Sequence, residues 1–409
     1  MRITGCLLAA ALPLALLSLA PAAPRDLSTI TWKKTVLDKA FRSEGVAVAD
    51  VNRDGKMDVL NGEVWFEAPD WTMHEIRPSK DYTRGKDNVY SNSFACWAED
   101  LNGDGYPDLI VIGFPGRPCH WFENPRGQKG HWKQHEIWHS ACNETPQYVD
   151  LFGTGKRVLL MGAQPRGKGD QGQMAYFTPG ADPTKLWEMH PISEPSQPGK
   201  EIPGTRQFSH GLGVGDINGD GRPDVICTGG WWEQPAKADG KTPWKFHRAN
   251  LGPDCADMVA YDIDGDGKPD VLSSAAHQKG IWWHRQAAGK GGEPAFQKRD
   301  LFANLVSQTH ALVLADIDGD GLKDFVTGKR WWAHGAHGDV DPAAPAKLYW
   351  FEAKKDRAGL TTFTPHQIDD DSGIGTQFTV ADVNGDKRPD VVVSNKKGTF
   401  LFEQVRKKR

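Results

Sequence analysis

The feature that most constrains this chain is a nine-residue acidic loop that returns six times, as DINGDGRPD at Asp216 and in close variants elsewhere. Each copy carries side-chain oxygens at positions 1, 3, 5 and 9, and in five of the six a Gly at position 6 lets the backbone turn sharply around one hard cation. The copies place candidate calcium ligands at Asp50, Asn52, Asp54 and Asp58, then at Asp100, Asn102, Asp104 and Asp108. The third and fourth sets are Asp216, Asn218, Asp220 and Asp224, then Asp262, Asp264, Asp266 and Asp270. The last two are Asp316, Asp318, Asp320 and Asp324, then Asp382, Asn384, Asp386 and Asp390. Up to six structural Ca²⁺ are therefore expected. In the last copy Lys387 stands where glycine is expected, which puts its turn or its ion in question. A seventh copy, DLFGTGKRV at Asp150, has Phe152, Thr154 and Val158 at ligand positions and is expected to hold no ion.

The loop lacks the Glu at position 12 of an EF-hand, and its flanks, such as LGVGD and PDVICTG, are β-rich rather than helical. It therefore joins two strands. After each loop comes an aromatic segment, for example VWFEAP at Val64, HWFENP at His120 and YWFEA at Tyr349. After that comes W-x-x-H-x-I or a relative, as in Trp71–His74–Ile76 and Trp187–His190–Ile192. Each unit so offers four strands, and four-stranded sheets repeated at about 45–65 residues around an axis make a β-propeller. The expected fold is all-β, a seven-bladed propeller. The final unit runs out after FLFEQ, while Thr31–Val36 near the start has no unit of its own. That orphan is expected to complete the last blade and close the ring.

Residues 1–23 read as a secretory leader, with a basic start, a short apolar core and small residues near Ala22. Residues 24–409 are then the propeller, exported to the periplasm or beyond. No later segment has the ~20 apolar residues of a membrane helix, so no membrane insertion is expected. A net charge of −4 with no clustered basic face argues against a nucleic-acid partner, and a monomer is expected. Beyond the leader five cysteines remain, an odd number without a C-x-x-C pair, so structural zinc is disfavoured. Cys227 and Cys255 are candidates for one disulfide across neighbouring blades.

The Asp-rich loop repeated along the chain resembles FG-GAP/VCBS-type propeller repeats, which also form the calcium-binding blades of integrin α-chains. That fold serves adhesion modules, lectins and lyases alike. More narrowly, FSHGLGVGDINGDGRPD with GGWWEQP resembles the propeller domain of aldos-2-ulose dehydratases, which dehydrate keto-sugars, though this chain has none of their cupin-type domains. The resemblance implies a carbohydrate or keto-sugar ligand.

About six residues before each loop, the innermost strand begins at the mouth opposite the loops. Around the ring that position reads Glu44, Phe94, Glu144, His210, Ala256, His310 and Thr376. The turn after the second strand opens on the same face and adds Arg117, Gln164, Arg166, Trp231, His277, Lys329, Arg330 and Lys396. Two long insertions, Arg77–Phe94 and Ser193–Phe208, can wall a pocket there. Histidine with carboxylate suits one Zn²⁺ or Mn²⁺ with an open position, or an acid–base pair. His210 and His310 are the leading ligands or base, with Glu144, His277 and Glu44 beside them and Arg330 as electrostatic stabiliser.

Blander readings stand beside these. His74, His135, His190, His247 and His366 recur at one repeat position and read as structural. The paired tryptophans read first as packing, with Trp231 and Trp331 the two placed to stack on a sugar. Function divides three ways: a secreted keto-sugar lyase or dehydratase, a non-catalytic carbohydrate- or protein-binding module, or integrin-like adhesion to a protein partner.

Overall fold

The computed structural model describes residues 29–82, 89–164 and 171–407. The expected leader therefore lies outside the described residues, as do Arg166 and the middle of the first insertion. The described chain is β-structure with one three-residue 3-10 turn at Lys290–Gly292 and no α-helix. The strands form propeller-like sheets, most of them antiparallel meanders from the channel outward. The first sheet runs Val46–Ala49, Asp58–Asn61, Val64–Glu67 and Thr72–Glu75.

Closure follows the expected route. Strand Thr29–Asp38 pairs antiparallel with Gly398–Lys407, from Thr29 opposite Lys407 to Asp38 opposite Thr399, with a bulge before Asp38. The first and last described strands thus share one four-stranded sheet.

The blade count departs from expectation. There are five four-stranded sheets and one of eight strands, not seven separate blades. In the eight-stranded sheet Leu212–Gly215 runs parallel to Asp257–Tyr261 and is hydrogen-bonded to it. Two glycines explain the fusion. A Cβ at Gly213 would lie 1.7 Å from the Met258 carbonyl oxygen, and one at Gly215 would lie 2.4 Å from the Ala260 Cβ. Without side chains there, two innermost strands that elsewhere only touch can zip together.

Apolar side chains pack between consecutive sheets. One cluster joins Leu60 and Trp65 to Leu109 and Phe122, and another joins Leu160 and Tyr176 to Val225 and Trp232. Carboxamides staple neighbours on the loop face. Asn124 donates to the carbonyls of Val51 and Pro107, and Gln234 to those of Leu151 and Pro223. Gln286 and Gln404 repeat the arrangement on Ile217 and Ile317.

The acidic loops are built alike. In the third copy Asp216 accepts the backbone amides of Gly219, Asp220 and Gly221 at 2.8–3.0 Å. Asp150, in the copy without a ligand set, still accepts those of Thr154 and Gly155, so the first aspartate shapes the turn irrespective of an ion. Lys387 adopts φ +66° in the position of the missing glycine and donates its amide to Asp382, so that turn is kept. The position-9 aspartates are fully buried latches. Asp224 accepts Ile217 N at 2.9 Å and Gln234 N at 2.9 Å, tying the loop to the third strand. Asp58, Asp108, Asp324 and Asp390 do the same. Their first task is to fasten backbone.

All five described cysteines are buried and free, so Cys227 and Cys255 do not form the disulfide considered above.

Candidate metal centre at the channel mouth

The innermost strands start at the mouth opposite the loops, and the residues just before them face one another across the channel. The structure brings Glu144, His210, His277 and His310 together, each offering one ligand atom, all within 4.8 Å of one another. Nε2 of His210 lies 2.8 Å from Nε2 of His277 and 3.2 Å from Nε2 of His310. Glu144 Oε2 lies 3.2 Å from His310 Nε2 and 3.7 Å from His210 Nε2. A Zn–N distance of about 2.0–2.1 Å sets tetrahedral ligand edges near ~3.3 Å. The observed separations straddle that value.

Chemistry supports the same reading. An Nε2···Nε2 hydrogen bond needs one protonated and one bare nitrogen, and His210 Nε2 cannot serve both neighbours well. A cation accepts lone pairs from all three rings at once. Burial holds His277 below its usual imidazole range. Burial, then the Arg330 charge, holds His310 well below it. Both are therefore neutral lone-pair donors near pH 7. Burial opposes ionisation of Glu144, but hydrogen bonds with His210 and His310 outweigh it and keep its carboxyl well below the usual range. Two neutral imidazoles and an ionised carboxylate, with His210 between them, suit zinc or manganese.

Outside these four groups stands a second layer. Arg330, 1 % exposed, donates to both oxygens of Glu44 at 3.0 and 3.1 Å and to Glu144 Oε2 at 3.3 Å. Glu44 thus reaches the centre through Arg330. Tyr90 and Phe94, from the first insertion, lay their rings 6.0 and 5.4 Å from the Arg330 guanidinium. His277 meets Asp339 Oδ1 through Nδ1 at 3.1 Å, which fixes the proton on Nδ1 and leaves Nε2 bare. His310 Nδ1 meets no acceptor among the described residues, so packing alone orients that ring.

Asp339 and its neighbours His334 and His337 were not singled out from sequence. They lie on the long connection between Asp324–Gly328 and Leu348–Lys355, in the run WWAHGAHGDVD. Two histidines and an aspartate inside an insertion that breaks the repeat were the available signal. With His277 they line an open cavity of 590 Å³.

Several expected contributors do other work. Trp231 is 1 % exposed and stacked on His247 at 4.1 Å, which rules it out as a sugar platform. Trp331 stacks on Trp332 at 5.3 Å. Arg117 is exposed, Lys329 Nζ bonds Ser307 Oγ at 2.8 Å, and Lys396 Nζ binds the carbonyls of Trp332 and Ala333. The recurrent histidines are structural: His74, His135 and His366 each stack at 4.4 Å on a tryptophan of the third strand and meet a glutamate there. His190 repeats this on Tyr176 with Thr178 as partner.

In the calcium-loop candidates, described carboxylates converge in the sets Asp262–Asp264–Asp270 and Asp316–Asp318–Asp320. In most copies the position-5 acid faces a cation, Lys56 on Asp54, Arg126 on Asp104, Arg222 on Asp220, Arg285 on Asp266 and Arg388 on Asp386.

Comparison with known proteins bears on the repeats. Residues 262–327 match the FG-GAP-like repeat. No curated protein matches the sequence. Among solved structures, the chain is similar to an Agrocybe aegerita lectin, described for specific recognition of non-reducing terminal N-acetylglucosamine. The likeness covers 93% of this chain and 86% of the lectin at 13% identity and a TM-score of 0.45.

Proposed function

We propose that this protein is a metal-assisted lyase of the dehydratase type acting on keto-sugars at the channel mouth. The observation that carries the reading is the convergence of three imidazole nitrogens and one carboxylate beside an open cavity. The keto-sugar class comes from the resemblance of the His210 segment to aldos-2-ulose dehydratases. In this reading the eight-stranded sheet is two blades zipped along their innermost strands, and the ring counts seven. Calcium braces the loops, first at Asp262 and Asp316, where carboxylates converge.

His210, His277, His310 and Glu144 would hold a divalent ion, which when bound would supply Lewis acidity toward a substrate carbonyl. The chain's own residues do the rest. Arg330 holds Glu144 in place and brings fixed positive charge near the developing oxyanion. Tyr90 and Phe94 shield that charge from water.

The test is elemental analysis of protein without tag histidines, followed by assay with a hexos-2-ulose, watching for a conjugated enone. About one equivalent of zinc or manganese, lost in His210→Ala, together with enone formation is the expected result. Bound metal without turnover would favour a carbohydrate-binding module instead. Calcium alone would end the metal-centre reading.

A further inference from the structure

If three histidines and Glu144 are committed to a cation, the site still needs a group to carry a proton. Glu44 cannot serve, because both its oxygens accept from Arg330. Glu144 is likewise taken, by His310 and Arg330. The connection that follows Arg330 offers a replacement. Asp339, with its side chain 2% exposed, accepts from His334 Nδ1 at 2.9 and 3.0 Å through both oxygens and from the His334 backbone amide at 3.2 Å. The same carboxylate takes Nδ1 of His277 at 3.1 Å. One buried aspartate therefore orients a candidate metal ligand and a second imidazole together. The His334 ring sits 4.7 Å from that of His277, and His334 lines the cavity. Its Nε2 has no hydrogen-bond partner among the described residues, whereas its Nδ1 is doubly held. His337 lines the same cavity without a carboxylate to orient it.

We propose that His334, oriented by Asp339, is the proton-transfer group of this site. The inference rests on the keto-sugar lyase reading. His334 Nε2 takes the proton from the carbon next to the substrate carbonyl, and that C–H electron pair moves toward the carbonyl oxygen as an enolate. The enolate then collapses. A C–C double bond forms, the C–O bond at the β-carbon breaks with its pair on oxygen, and that oxygen takes the proton back from His334 and leaves as water. Asp339 is a positioning residue throughout, steadying the imidazolium as it forms.

Metal-loaded full-length protein is assayed with the hexos-2-ulose, and each variant's metal is titrated separately. His334→Gln should retain metal while turnover falls at least ~100-fold, with part of the rate returned by added imidazole. Asp339→Asn should lower both, metal affinity by about 10–100-fold. Wild-type turnover in His334→Gln overturns the proposal and leaves the lyase reading standing. Loss of metal from His334→Gln overturns it too, by making His334 part of the cage. Metal-loaded wild type without turnover removes the lyase reading and this proposal with it.

Discussion

The outer edge and the channel mouth of this protein treat histidine in opposite ways. At the outer edge His74, His135, His247 and His366 each sit on an indole and bond a glutamate, in sheet after sheet. At the mouth no such rule holds: Glu44, Glu144, His210 and His310 stand at a position that in other units is phenylalanine, alanine or threonine, and Arg330 joins them from the turn after a second strand. Repetition marks what every sheet needs in order to stand beside its neighbours. Departure from repetition marks what the ring does only once. The contrast makes testable claims about stability.

The largest effect is collective and belongs to the repeated part. Burial pushes Asp58, Asp224, Asp270 and Asp390 up to about 6, and Asp108 and Asp324 up to about 7. An unfolded aspartate titrates near ~3.9. Between about pH 4 and these raised values the folded chain keeps protons that the unfolded chain has lost, so stability falls as pH rises through that window. With chelator present, the urea midpoint should be higher at about pH 5 than at about pH 7.5, and saturating calcium should narrow the gap. A midpoint that is flat, or lower at the acid end, would show that the latches carry no such cost.

Next comes a single residue at the mouth. Arg330→Met leaves Glu44 and Glu144 buried without their cation, and breaking such a pair costs about 3–5 kcal/mol. Urea unfolding of the metal-free protein should show it. A loss well under ~1 kcal/mol would mean the two carboxylates find other partners, and the mouth is less specialised than claimed.

The smallest effect is His247→Ala at the outer edge. It removes one stacked ring and two hydrogen bonds, to Glu233 and to the exposed Glu293, about 1–2 kcal/mol in all. Bound zinc or manganese should be unchanged. A loss of that metal would erase the distinction between the two kinds of histidine.

How much of this was legible in sequence follows the same division. The strands, the loops, the closing role of Thr31–Val36 and the structural role of the recurrent histidines were readable, because each pattern is stated several times. That His210, His310, Glu144 and His277 come together at the mouth was readable from ring position. Asp339 and His334 were not, because they sit in an insertion that no other unit repeats, so register could not place them. The fused sheet was hidden for another reason. Gly213 and Gly215 look like ordinary strand glycines until the neighbouring backbone is seen to need their missing side chains. The latch role of Asp224 was masked by its membership in a ligand motif, since sequence shows which oxygens exist but not which amides reach them first.

The pairing of Thr29–Asp38 with Gly398–Lys407 also gives the mouth a timetable. Glu44 lies just after the first described strand, and Arg330, 286 positions later, must reach back to it. The last described strand in sequence is the one that pairs with the first. A chain lacking Gly398–Lys407 would carry every group of the mouth without the strand pairing that joins its two sides. Under the proposed metal reading, uptake would then serve as a receipt for a closed ring.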